Sequence, residues 1–98
     1  MSTKFTTALG AYAADLLDYG YGIRVATDKY GTGWIEWTAL KGDTEIFVMY
    51  RPEGRSKFGY ARKRVQGRLM GSYTTRQDFE EGIFDVIYDE KQAAKEAA

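Results

Sequence analysis

The sequence predicts a single α+β domain, ordered αβββαα, with a three-stranded antiparallel sheet packed by helices. Three observations lead there. Apolar stripes at helical spacing open and close the chain. Between them lie three short segments with alternating side chains, separated by glycine-containing turns. A length of 98 residues with 44% hydrophobic side chains suits one hydrophobic core and argues against wholesale disorder.

Residues 3–18 read as the first helix. Phe5, Leu9, Tyr12 and Leu16 form its apolar stripe, with Ala8, Ala13 and Leu17 beside it. Ser2 or Thr3 is placed to cap its start, and Gly20 suits a left-handed residue after its end. The first strand spans about 21–28, with Tyr21, Ile23 and Val25 on one face. A turn over Lys29–Gly33 leads to a second strand, about 34–40. Lys41-Gly42-Asp43 closes a hairpin onto the third strand, about 44–51, where Ile46, Val48 and Tyr50 alternate with Phe47 and Met49. Arg51-Pro52-Glu53-Gly54 has the pattern of a type I turn.

Trp34 and Trp37 are three apart, so a regular strand sends them to opposite faces. Either helices cover both faces of the sheet, or one face carries an open aromatic patch.

Residues 57–70 fit two patterns. Phe58, Ala61, Val65 and Leu69 make a helical stripe, while Phe58, Tyr60, Arg62 and Arg64 would share one face of a strand. The helix is the preferred reading, although Gly59 and Gly67 weaken it. Residues 76–90 form the last helix. Thr75 and Asp78 approximate a capping box, and Phe79, Ile83, Val86 and Ile87 form the buried stripe. The domain is therefore expected over 1–91, with 92–98 a fraying tail.

Charge is sorted along the chain although the formal total is zero. Arg51, Arg55, Lys57, Arg62, Lys63, Arg64 and Arg68 lie in one segment with a single acid, Glu53. Asp78, Glu80, Glu81, Asp85, Asp89 and Glu90 follow without a base. Such local fields steer partners whatever the net charge. Two consecutive elements of opposite sign also have a structural use: packed antiparallel, they would neutralise each other along a seam of ion pairs, each contributing about 0–1 kcal/mol.

Enzymatic chemistry is poorly provided for. The chain has no histidine and no cysteine, which leaves the common acid–base and thiol nucleophile roles vacant. Ser2, Ser56 and Ser72 lie in no nucleophile elbow, and Gly31-Thr32-Gly33 lacks the lysine of a phosphate-binding loop. The expectation is a non-enzymatic module with no catalytic, metal or cofactor site. The absence of cysteine and of a signal or membrane segment leads to a cytoplasmic expectation.

The expected partner is a protein. The surface combines Arg55, Lys57, Tyr60, Arg62, Lys63, Arg64 and Arg68 with Trp34 or Trp37, charge speeding encounter and aromatics supplying residence time. A short chain without motifs suits a phage or mobile-element inhibitor that occludes a host or defence complex. The alternative is nucleic-acid binding through Arg51–Arg68, against which a pI near 6.3 counts. A homodimer covering an exposed aromatic sheet face is a third expectation.

Overall fold

The computed structural model describes residues 8–27, 33–51 and 57–97. Its order is α1 (Ala8–Asp18), β1 (Gly22–Thr27), β2 (Ile35–Lys41), β3 (Thr44–Arg51), β4 (Lys57–Val65), β5 (Arg68–Tyr73) and α2 (Arg76–Ala97). The fold is α+β as expected, but the sheet has five strands rather than three, all antiparallel, in the order β1-β2-β3-β4-β5. The described helices number two, so αβββαα is corrected to αβββββα.

The difference lies in residues 57–70, which form a β-hairpin and not a helix. Gln66 and Gly67 both have positive φ (54° and 77°) between the paired residues Val65 and Arg68. That is the two-residue loop whose twist matches adjacent antiparallel strands. Gly42, at φ 56°, is the first residue of the two-residue turn between β2 and β3, and the Gln66 N–H donates to the Asp43 carbonyl at 2.9 Å, tying the two turns together. The turns expected at residues 29–32 and 52–54, and the cap at Ser2 or Thr3, lie outside the described residues.

Register decides which side chains share a face. Val25 pairs with Trp37, Trp37 with Val48, and Val48 with Ala61. These side chains point toward the helices. Trp37, Val48 and Tyr50 are among the most completely buried side chains, with Leu16 of α1 and Phe79 of α2. Phe79 is the hub, with ring centroids 6.0 Å from Tyr12, 6.4 Å from Trp37, 5.7 Å from Phe58 and 6.2 Å from Tyr73. Thr75 caps α2, its Oγ1 accepting from the Asp78 N–H at 3.2 Å. The helix then continues through the segment expected as a tail, with residues 93–97 exposed.

Polar clasps bind the helices to the rest. The Tyr12 hydroxyl donates to Glu80 at 2.6 Å, and Glu80 also meets Arg76 at 2.7 Å. Lys41 meets Glu90 at 2.7 Å, and the Tyr21 hydroxyl donates to the same carboxylate at 3.2 Å. Burial, then the Glu80 bond, pushes the Tyr12 phenol up to about 12. Burial and the Glu90 charge push Tyr21 up to about 12. The Tyr12 bond, helped by Arg76, holds the Glu80 carboxyl below its usual range.

Candidate functional site

With both helices on one side, the other side of the sheet is the open one: among the described residues, no helix packs against it. Its side chains follow from the alternate register positions. They are Arg24 on β1, Glu36, Thr38 and Leu40 on β2, Glu45, Phe47 and Met49 on β3, and Tyr60, Arg62 and Arg64 on β4. Trp34, just before β2, has the same parity. From Trp34 to Met49, those on β2 and β3 are half-buried, where their inward neighbours Ile35, Trp37, Ile46 and Val48 are buried. They shield one another across the strands.

Arg62 sits at the centre. Its guanidinium carbon lies 4.5 Å from the Phe47 ring centroid, a cation–π distance. Its Nη2 stands 3.7 Å from Glu45, a loose pair, and its buried Nε has no hydrogen-bond partner among the described residues. Tyr60 flanks Phe47 at 6.5 Å between ring centroids, and its hydroxyl accepts from Ser72 at 3.2 Å.

Gly59 shapes the other end. The ladder between β3 and β4 shifts here: Met49 pairs with Tyr60, but Tyr50 pairs with Phe58, leaving Gly59 as the extra residue. The bulge turns Phe58 inward and Tyr60 outward. Trp34 lies over Gly59, where a Cβ would stand 2.8 Å from its Cζ3 and 3.0 Å from the Met49 carbonyl. Beside Trp34, an open groove of about 350 Å³ is lined by Ala26, Thr27, Ile35, Glu36 and Met49.

The structure divides the residues singled out from sequence. Tyr60, Arg62, Arg64 and Trp34 come together on the open face. Trp37 does not: it is 1% exposed, and its indole is packed against Phe79, so it is withdrawn from the surface. Lys63 points the other way, along Ile46, Tyr73 and Ile83, because it alternates with Arg62 and Arg64 in a strand. Arg68 opens β5, opposite Val65 and exposed. Lys57 pairs with Arg51 at the start of β4, and Arg55 lies outside the described residues. Phe47, Met49, Glu36 and Glu45 were not singled out, although the alternation of Phe47 and Met49 with buried neighbours carried the signal.

The expected seam between the basic segment and the acidic helix is not formed among the described residues. Arg62 meets Glu45 of β3, while the paired acids of α2 meet Lys41 and Arg76. Arg62 and Arg64 lie on the side of the sheet away from α2, whereas Lys63 points toward it. Among the described residues, no helix is long and apolar enough to cross a membrane. Comparison with protein-family models, with curated proteins and with solved structures finds no match.

Proposed function

We propose that this protein is a non-catalytic recognition module that binds a protein partner on the open face of its sheet. One observation carries the reading: Trp34, Phe47, Met49 and Tyr60 stand together beside Arg62 and Arg64 on a sheet face that neither described helix covers. Aromatic and arginine side chains are the groups that most often dominate interface energetics. An uncovered face of this composition also suits occlusion of a partner's own site, the simplest action for so small a module.

Charge favours protein over nucleic acid. The face carries Arg24, Arg62 and Arg64 against Glu36 and Glu45, a small positive excess. A nucleic-acid interface gains affinity from every neutralised phosphate, and an excess this small offers few. The test is affinity capture of tagged protein from lysate, with and without nuclease, at low and moderate salt. A discrete protein retained after nuclease, and lost with Phe47→Ala, is the expected result. Capture of only nuclease-sensitive, salt-sensitive material would overturn the reading in favour of nucleic acid.

A further inference from the structure

The chain carries a second exposed surface of opposite sign. On α2, Phe84 and Tyr88 are 54% and 61% exposed. They are four residues apart and therefore stacked on one side of the helix. Glu81 and Asp85 repeat at the same interval beside them, with Asp78 and Asp89 further round, all exposed. None of these four acids forms a salt bridge among the described residues, and neither does Arg24 or Arg64 on the sheet. Among the described residues these four acids and two arginines are thus left unpaired, with α2 on one side of the sheet and the arginines on the other.

We infer that the open sheet face of one copy docks the outer face of α2 from a second copy. This rests on the reading of the open face as a recognition surface, and it names a second copy as the occupant when no foreign partner is bound. The spacings agree. Arg62 and Arg64 are two residues apart on one strand, about 6.6 Å. Glu81 and Asp85 are four apart on a helix, about 6 Å. Phe47 and Met49 lie on the neighbouring strand, about 4.8 Å away, as Phe84 and Tyr88 lie beside the acids. Acids can therefore meet arginines while aromatic rings meet Phe47 and Met49. One helix against one sheet face is a small contact, at the low end of specific interfaces, so association is weak and salt-dependent. The two surfaces differ and face opposite ways, so the contact is heterologous and copies add head to tail instead of closing as a two-fold dimer.

The test is sedimentation velocity of the full chain at concentrations up to about 1 mM. It is run at about 0.1 M and about 1 M salt, between which the screening length falls from about 10 Å to about 3 Å. Wild type is expected to grow with concentration at low salt and to revert towards monomer at high salt. Two variants separate the surfaces: Arg62→Glu/Arg64→Glu on the sheet and Glu81→Lys/Asp85→Lys on the helix. Each alone is expected to associate at least about tenfold more weakly. An equimolar mixture holds one native and one charge-swapped pair of complementary faces, so it is expected to regain the salt-sensitive association that neither variant shows alone. Circular dichroism checks folding, and Arg64→Glu alone replaces the sheet variant if the half-buried Arg62 does not tolerate reversal. A wild type that stays monomeric at low salt, or a helix variant that associates like wild type, overturns the inference. If foreign-partner capture still depends on Phe47 in that case, the recognition face stands and only its occupant is wrong.

Discussion

Arg62 lies over Phe47, 4.5 Å from ring centroid to guanidinium carbon, at the centre of a sheet face that the helices leave open. The pair joins neighbours across β3 and β4, and it pre-orders the two side chain types that interfaces use most. An exposed cation–π contact contributes about 0.5–1 kcal/mol. A double-mutant cycle with Phe47→Ala and Arg62→Ala, read by urea unfolding, should show coupling of that size. Additive single effects would mean that the contact does not form in solution.

The two tryptophans should behave in opposite ways. Trp37 is fully buried against Phe79, so Trp37→Ala should cost about 3–5 kcal/mol of stability. Trp34→Ala should cost about 1 kcal/mol or less and act on partner binding instead. Chemical denaturation of both variants, with binding measured on the folded one, checks the division.

Gly59 should be sensitive for a reason outside the core. Its Cβ would meet Trp34 at 2.8 Å and the Met49 carbonyl at 3.0 Å, and backbone cannot step aside. Gly59→Ala should destabilise by about 1–3 kcal/mol and displace the Trp34 indole. In a two-dimensional NMR spectrum the Trp34 indole N–H should move while that of Trp37 holds its position.

Gly82 is the equivalent position in α2. Alanine normally favours a helix by about 1 kcal/mol over glycine. Here a Cβ would stand 2.6 Å from the Tyr73 hydroxyl, whose ring is wedged between Gly71 and Gly82. Gly82→Ala should therefore lower the melting temperature, and Tyr73→Ala should cost less in that background than alone.

Stability should fall at both ends of the pH scale. The Tyr12 and Tyr21 phenols are raised in the fold, so the stability they add is complete below about 10 and is lost as pH rises toward about 12. The Glu80 carboxyl is lowered, so its contribution is present above the unfolded carboxylate range and lost as pH falls through the folded value. Melting temperatures against pH should flatten at the alkaline end in Tyr12→Phe/Tyr21→Phe, and at the acid end in Glu80→Gln.

The first three strands and α2 were legible in the sequence because alternation, apolar stripes and turn glycines agreed. The β4–β5 hairpin was not. Phe58, Ala61, Val65 and Leu69 imitate a helical stripe by coincidence of spacing. The bulge at Gly59 puts Phe58 inside and Tyr60 outside, so no strict alternation runs through the segment. Its turn uses Gln66-Gly67, and glutamine is an uncommon residue at positive φ. As a strand, the segment sends Arg62 and Arg64 one way and Lys63 the other. The open face itself was half visible, since Trp34 and Trp37 had to point apart. Which tryptophan was buried depended on where the helices packed, and no local pattern encodes that.

The most direct measurement compares capture by three proteins from the same nuclease-treated lysate: wild type, Phe47→Ala/Arg64→Glu on the open face, and Phe84→Ala/Tyr88→Ala on the helix. A protein partner should be retained by wild type and the helix variant and lost, by at least about tenfold, from the open-face variant. Full retention by a folded open-face variant would contradict it.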